Sequence, residues 1–442
     1  MNLMGEKLNK LFPELKNPAE NENAAMEAEM DVLPYDFISI DDPIESTHCA
    51  KKQQDLKTNY TGVMTVDLQL KSPMVAIDEM GDVVEIARKS GGQKNSVPIY
   101  DYRNALGKGF HKKIPASSIR GMLHNAAEII WNDVLTVEES NGSNRKLREY
   151  IPADWLSEKN TLENHGLASH FFGFVQNQSN ENSKKKNKGI ALSSLLQFSD
   201  AVTEHAEYQE AYLKPFTLAS PKGLLIKGTN RFNMNYMEKT KKRLRPAGRK
   251  VYLAGRTKDL EKRCIAETVK EAFRGFVGEH WKINREKHIC IENGKAVQLE
   301  KIILIAPNTV YTFNIYFKNL KEEELAALVR LIELNAGAEA SELAKKATYA
   351  IGRGKPLGFG RVRLTVRDIY VRDATKILDL NAPEFSRQID KAELYKGSNP
   401  YQKKYEEYFA LTDDQTFDGH KIYQNKGKKV KRYTKLKRGT KL

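Results

Sequence analysis

A glycine-rich segment that runs directly into an alternating segment constrains the fold of this chain more than any other feature. Residues 352–360 read Gly-Arg-Gly-Lys-Pro-Leu-Gly-Phe-Gly, with four glycines in nine positions. Glycine adopts positive φ without a steric penalty, so the segment predicts a tight loop whose backbone N–H groups bind an anion. Residues 361–367 then alternate, which predicts a strand with one buried face and one cationic face formed by Arg361, Arg363 and Arg367.

Two phosphate-binding motifs are excluded for this loop. It precedes a strand instead of a helix and contains no Gly-Lys-Ser/Thr, so it is neither a Walker A loop nor a dinucleotide-binding loop. A basic glycine-rich turn that binds nothing remains the alternative.

The distribution of charge predicts a nucleic-acid partner. The net charge is +15, yet residues 1–50 are acidic, while ten Lys and Arg residues and no acid follow Asp418. A second basic cluster comprises Arg243, Arg245, Arg249 and Lys250. Clustered cations are typical of RNA-binding surfaces, and a solvated tail that maintains solubility is the alternative for the C-terminus.

Cysteine usage and hydropathy predict a cytoplasmic protein. The three cysteines have no paired spacing, no apolar run is long enough to span a bilayer, and the N-terminus lacks the apolar core of a signal peptide. Cys264, His280, His288 and Cys290 occur in one segment without Cys-x₂-Cys spacing, which argues against zinc. We expect no cofactor, except Mg²⁺ if the chain cleaves RNA.

Hydrophobic periodicity predicts an α+β fold. Alternation begins a strand at Gly62, and Pro115 opens a helix with Ser118 as its N-cap. Further strands are expected at residues 189–200, 301–306 and 309–317, and helices at 260–273, 322–334 and 341–350. The order is that of a βαββαβ ferredoxin-like arrangement, called the palm below, which is opened by a large insertion that contains an irregular hairpin and a helix. Its free sheet face suits RNA.

The predicted organisation has four parts. An acidic extension covers residues 1–55, and the palm covers 56–201 and 300–371. The insertion, with its hairpin and helical segment, covers 202–299, and a basic extension covers 372–442.

Three motifs resemble the RAMP superfamily of CRISPR-associated proteins, in particular backbone subunits of type III-D-like or type VII complexes. Residues 114–123 (Ile-Pro-Ala-Ser-Ser-Ile-Arg-Gly-Met-Leu) resemble the entry of the family's first helix, with Ala116 in place of Gly. Residues 170–174 (His-Phe-Phe-Gly-Phe), 196–201 (Leu-Gln-Phe-Ser-Asp-Ala) and 218–222 (Leu-Ala-Ser-Pro-Lys) follow in the family's order. Residues 351–362 resemble its C-terminal glycine-rich loop.

The resemblance implies an RRM-like palm with a large inserted thumb hairpin and a helical insertion. It also implies a subunit that oligomerises along a guide RNA (crRNA), grips its phosphate backbone and presents it to target RNA in antiviral defence. The implied partners are crRNA, target RNA, further copies of the chain, other effector subunits and a separate nuclease. Residues 218–249 would form the thumb, whose wedge residues either displace bases or pack against the palm: Phe232, Met234, Tyr236 and Met237. The predicted RNA-binding residues are Ser117, Ser118, Arg120, His124, Lys222, Arg243, Arg245, Arg249, Lys250, Gly352, Arg353, Gly354, Lys355, Gly358, Gly360 and Arg361.

The resemblance leaves RNA cleavage open. The family's catalytic Asp precedes the Ser-Ser-Arg helix, and alignment backward from Ile114 places Asn95 there, which favours a subunit that does not cleave. Asp78 and Asp82 are the alternative catalytic residues, or are simply solvated loop acids. The competing functions are a metal-dependent endoribonuclease that slices target RNA and a stand-alone RNase that processes pre-crRNA.

Overall fold

A computed structural model describes residues 31–32, 35–38, 40, 59–76, 113–134, 156, 165–176, 190–214, 224–226, 244–246, 248–256, 260–280, 282–334, 342–372, 384–397, 399–413 and 421–422. These residues form a mixed α+β structure with several antiparallel sheets.

The strands of this structure are numbered in chain order. They are β1 Asp31–Val32, β2 Tyr35–Ile38, β3 Tyr60–Leu70, β4 Met74–Val75, β5 Lys113–Ile114, β6 Phe174–Gln176, β7 Ile190–Leu192, β8 Leu196–Phe198, β9 Ala201–Val202, β10 Tyr208–Leu213, β11 Leu224–Ile226, β12 Leu244–Pro246, β13 Arg249–Tyr252, β14 Cys264–Ala266, β15 Gly278–Glu279, β16 Ile283–Asn284, β17 Ile289–Glu292, β18 Lys295–Gln298, β19 Glu300–Ile305, β20 Val310–Leu320, β21 Tyr349–Ala350, β22 Arg361–Val371, β23 Arg387–Gln388 and β24 Lys421–Ile422.

The helices are numbered in the same way. They are α1 Ala116–Ile130, α2 Leu167–Phe172, α3 Leu260–Arg263, α4 Glu322–Ile332, α5 Glu342–Lys346, α6 Lys391–Leu394 and α7 Gln402–Thr412, with 3₁₀ turns at Glu271–Phe273 and Lys355–Leu357.

The largest sheet has the order β21-β22-β3-β20-β9-β5, with β23 paired to β22 and β8 paired to β20. Its three long strands are antiparallel to their neighbours, with Val66 opposite both Phe313 and Val366. Alternation along β3 follows the predicted pattern, because Met64, Val66 and Leu68 are fully buried while the residues between them are partly exposed. One face of the sheet therefore forms the core.

Helices α1 and α4 contribute the other layer of this core. Helix α1 buries Ile119, Leu123 and Ala127, and helix α4 buries Leu325 and Leu328. Apolar residues recur every three or four positions, so each helix presents one apolar stripe to the sheet. Both helices and the buried sheet face belong to one continuous hydrophobic cluster.

Smaller sheets surround the main one. A five-stranded sheet has the order β15-β14-β10-β19-β4, and β16, β17 and β18 form a separate antiparallel sheet. Strand β11 pairs with β12 as the ends of an antiparallel hairpin, within the segment expected to form the thumb. Strand β2, from the acidic N-terminal segment, pairs with β13.

Two predicted helices differ from the structure. The helix expected at 260–273 ends at Arg263, and Cys264–Ala266 is instead the buried strand β14. Because Tyr212 of β10 lies opposite Ile265, sheet pairing determines the conformation here in preference to local helix propensity. The helix expected at 341–350 ends at Lys346, where the chain turns toward β21.

Candidate RNA-binding surface

The first predicted phosphate site is the start of helix α1. Pro115, not Ser118, occupies the N-cap position, and no side chain of the N-cap accepts a hydrogen bond there. Asp200, the residue immediately before β9, caps the helix instead, because its Oδ1 accepts a hydrogen bond from the N–H of Ala116 at 2.8 Å. Its carboxylate complements the positive end of the helix dipole. Ser117 and Ser118 are exposed on the first turn, but an anionic group already lies beside them.

Arg120 has an internal contact. Its guanidinium donates to the carbonyl of Phe172 at the end of α2 and lies 5.6 Å from the centre of that residue's ring. His124 stacks on the same ring at 4.7 Å. Burial, followed by the charge of Arg120, lowers the pKa of His124 to about 4, so the imidazole is neutral at pH 7. Arg120 and His124 thus join α1 to α2.

Glu128 gives this region a pH dependence. Its Oε1 lies 3.6 Å from Nε2 of His124, and burial raises the pKa of Glu128 from 4.5 to about 7. The carboxyl group of Glu128 therefore binds its proton more tightly in the folded state than in the unfolded state. As a result, Glu128 progressively lowers the free energy of unfolding as pH rises from 4.5 to 7.

We expect Glu128→Gln to remove this penalty. The unfolding free energy of the variant should equal that of the wild type below pH 4.5 and exceed it by about 3 kcal/mol at pH 8. Urea denaturation across this pH range measures the difference. His124 titrates in both proteins, so its opposite contribution cancels in the comparison. A constant difference at all pH values would contradict the assignment.

The basic cluster around β13 divides into internal and accessible cations. Arg249 is buried, contrary to the RNA-binding prediction, and its Nη1 contacts Oδ1 of Asn132 at 3.3 Å. The charge of Arg249 lowers the pKa of both Glu128 and Asp133, which partly offsets the increase that burial causes. Lys250 is half-exposed, with its ammonium 3.9 Å from the ring centre of Tyr35 and 4.8 Å from that of Tyr252.

The glycine loop has the backbone that the sequence predicts. All four glycines have positive φ: 75° at Gly352, 74° at Gly354, 93° at Gly358 and 68° at Gly360. A Cβ on Gly360 would lie 1.9 Å from the carbonyl oxygen of Ile351, so only glycine fits this close backbone approach.

The loop's N–H groups are not uniformly available to an anion. Those of Gly358 and Gly360 donate to the carbonyls of Lys355 and Pro73 at 3.1 and 2.8 Å. These two glycines shape the loop, and the predicted anion nest cannot use them. Gly352 and Gly354 lie nearer the surface, at the end of the loop that also carries Arg353.

Arg361 contradicts the predicted cationic strand face. It is 2% exposed, and its guanidinium donates to the carbonyls of Tyr252 and Leu253. Burial lowers its pKa to about 10, so it remains charged at neutral pH. Arg367 is exposed but donates to Asp67 across the strand pair, and Arg363 is half-buried. The exposed cations of this region are fewer than the alternation predicts.

Arg353 is the accessible cation of the loop. Its side chain is 71% exposed and forms a surface ion pair with Glu300 at the start of β19. Such exposed pairs contribute little stability, so the guanidinium can exchange Glu300 for a phosphate at small cost. Lys355 is half-buried, and burial followed by the charge of Arg361 lowers its pKa.

The helix α1 entry and the glycine loop lie at opposite edges of the main sheet. The loop joins β21 to β22, and α1 follows β5, four strand positions from β22. At about 4.8 Å per strand the two sites are roughly 19 Å apart. The two sites therefore cannot bind one phosphate together.

Several predicted residues lie outside the described part of the chain. These are the RNA-binding residues Lys222 and Arg243, the thumb residues Phe232, Met234, Tyr236 and Met237, and the carboxylates Asp78 and Asp82 with Asn95. Of Arg245, only its place in β12 is described.

A candidate metal-ligand group occurs where the sequence argued against one. One ligand atom from each of His280, Cys290 and Glu292 lies within 4.8 Å of the others. Lys214 contacts Oε1 of Glu292 and neutralises it. In the described ranges no other group of three or more His, Cys, Asp or Glu side chains has this arrangement, and neither Cys264 nor His288 joins it.

No helix within the described ranges is long and apolar enough to cross a membrane. Scans against protein-family models and curated proteins find no match.

Two solved structures are similar to this chain. The crystal structure of Thermofilum pendens Csc2 has 10% identity and a TM-score of 0.30, and the alignment covers 84% of this chain and 91% of that one. The cryo-electron microscopy structure of the Type III-B Cmr-beta bound to cognate target RNA has 12% identity and a TM-score of 0.25, with 71% and 61% covered. At such TM-scores neither similarity assigns a function.

Proposed function

We propose that this chain is a CRISPR RAMP-superfamily subunit that binds the phosphate backbone of a guide RNA and assembles with further copies and other effector subunits along it. The observation that carries the proposal is the strand order of the main sheet. Strands β22, β3, β20 and β8 are adjacent and antiparallel, and helices α1 and α4 follow β3 and β20 in the chain. This order matches the one expected of a βαββαβ ferredoxin-like palm and supports the proposal, because such an architecture leaves one sheet face free for RNA.

Two of the three motifs, the start of α1 and the series at residues 170–174 and 196–201, support the proposal through their shared location. Arg120 of the first motif donates to the carbonyl of Phe172 in the second, and Asp200 of the third segment caps the helix that begins at Ala116. Phe198 stacks on Phe172 at 6.2 Å. Residues distant in sequence thus form one junction between α1, α2 and β8, which gives a physical reason for their occurrence together.

The charge of the chain supports an RNA ligand over a protein ligand. The net charge is +15, and an exposed Arg353 lies on a glycine loop at the end of the palm. Phosphate contacts of this kind position RNA without reading its sequence.

Binding of single-stranded RNA as a function of salt tests the proposal. We expect the logarithm of the affinity to fall linearly with the logarithm of salt concentration, and Arg353→Ala to reduce this slope by about 0.7 for every RNA sequence. Arg285→Ala is the matched control, because Arg285 is also an exposed arginine paired with a glutamate, Glu267. Altered sequence preference in the Arg353 variant, or equal effects in both variants, would contradict the phosphate assignment.

Assembly and cleavage need separate measurements. Co-purified RNA should be guide-length, and the mass of the particle should correspond to several copies of the chain on one RNA. Loss of target cleavage on changing Asp78 and Asp82 to Ala, without a partner nuclease, would favour the endoribonuclease alternative. One chain per RNA hairpin would favour the processing RNase.

A further inference from the structure

The outer face of the main sheet carries a single row of in-register side chains across five strands. Tyr316 of β20 lies opposite Val63 of β3, and Tyr370 of β22 lies opposite the same valine from the other side. Gln197 of β8 extends the row beyond Tyr316, and Gln388 of β23 extends it beyond Tyr370. Directly opposed residues share a face of the sheet, so all five side chains project from the same surface.

The two tyrosines of this row are exposed. Tyr316 is 41% exposed and Tyr370 is 36% exposed, although their neighbours Ile315 and Ile369 on the opposite face are buried. Among the large apolar side chains that the described residues expose, three are aromatic, and two of those three belong to this row. Burial would stabilise a tyrosine ring, so a pair left in solvent on one row requires an explanation.

The spacing of the rings suits nucleic-acid bases. Tyr316 and Tyr370 are two strand positions apart, which is roughly 10 Å, and the smaller side chain of Val63 lies between them. Each ring can stack one base, since every base has a π face. The flanking amides of Gln197 and Gln388 can hydrogen-bond to base edges, although Gln388 already donates to Asp368 at 3.2 Å.

Cations border the row. Lys318 is exposed two residues after Tyr316 on the same face, and the described residues provide no ion pair for it. Arg372 is exposed two residues after Tyr370 and forms a surface ion pair with Glu384. Aromatic rings between cations match a strand that alternates bases and phosphates better than they match an apolar protein surface.

We propose that Tyr316 and Tyr370 form a base-stacking site for single-stranded RNA on the outer sheet face, with Lys318 contacting the adjacent phosphate. The site is separate from the glycine loop, and the inference rests on the proposed RNA-binding function. It adds a contact that depends on bases but not on their sequence.

The full chain, a single-stranded oligouridine and an abasic oligonucleotide of the same length test this site. Tyr316→Ala and Tyr370→Ala should each weaken oligouridine binding about 10-fold, and the double variant about 100-fold, with an unchanged salt slope. Wild-type protein should bind oligouridine more tightly than the abasic strand, and the double variant should bind both equally. Phenylalanine at both positions should retain wild-type affinity, because the ring remains.

Tyr208→Ala is the matched control, because Tyr208 is an exposed tyrosine of the five-stranded sheet and lies off the row. The inference is overturned if this variant loses as much affinity as the row variants, or if the double variant binds oligouridine like the wild type. It is also overturned if the double variant changes only the mass of RNA-free protein, which would identify an interface between copies. If the wild type binds no RNA at all, the proposed function fails as well.

Discussion

Replacing Gly360 with alanine is expected to lower the free energy of unfolding by about 3 kcal/mol or more. Gly360 has a φ of 68°, which costs an alanine about 1–2 kcal/mol by itself. In addition, the new Cβ would lie 1.9 Å from the carbonyl oxygen of Ile351. That oxygen cannot move freely, because Ile351 donates its own N–H to the carbonyl of Gly360 at 2.8 Å.

Gly121→Ala provides the control for this measurement. Gly121 lies on the exposed side of α1, and a Cβ there meets no atom within 4 Å. Alanine should stabilise the helix by about 0.5–1 kcal/mol, so the two glycine variants should shift the denaturation midpoint in opposite directions. A Gly360→Ala protein within about 0.5 kcal/mol of the wild type would show that the loop relaxes and that its backbone is not required.

Local sequence patterns were sufficient to predict the structure where the residues of a single strand or loop determine its own backbone conformation. The alternation of Met64, Val66 and Leu68 predicts the buried face of β3, and the glycines of residues 352–360 predict positive φ. Both are properties of neighbouring residues. The sequence therefore predicted the main strands, the two core helices and the loop.

The sequence failed where a distant partner decides the role of a side chain. Arg361 turns inward because the carbonyls of Tyr252 and Leu253 accept its hydrogen bonds, and nothing near Arg361 in the sequence indicates them. The helix at Ala116 is capped by Asp200, a residue 84 positions away. Neighbouring residues alone predicted Arg361 on the exposed strand face and Ser118 at the N-cap, and both predictions are wrong. The same limit explains why the candidate RNA contacts are reduced to a few exposed cations.

The row of side chains on the outer sheet face also depends on residues that are distant in sequence. Tyr316, Val63 and Tyr370 are unremarkable in the sequence, and only the registers of β20 and β22 against β3 bring them into line. Hydrophobic residues at alternate positions predict a buried face, whereas these three occupy the opposite one. A sequence signal existed in the two tyrosines at outward positions, but their alignment depended on the sheet.

Replacing Asp133 with alanine is expected to lower the free energy of unfolding by about 3 kcal/mol. Asp133 is 1% exposed, and its carboxylate accepts the N–H groups of Val134 at 2.6 Å and Ser169 at 2.8 Å. Alanine would remove the carboxylate that accepts these two buried N–H groups, at about 1–3 kcal/mol each, and would remove a charge near Arg249.

Asp133→Asn separates hydrogen bonding from charge. Burial raises the pKa of Asp133, so the charge itself is unfavourable in this place, and the amide oxygen of asparagine still accepts one of the two N–H groups. We therefore expect about half the loss caused by alanine, measured by urea denaturation at pH 7. Because Ser169 belongs to α2, which provides the carbonyl of Phe172 to Arg120, the alanine variant should also weaken the α1–α2 junction. Equal losses in the two variants would mean that the charge near Arg249, and not the hydrogen bonds, holds α2 in place.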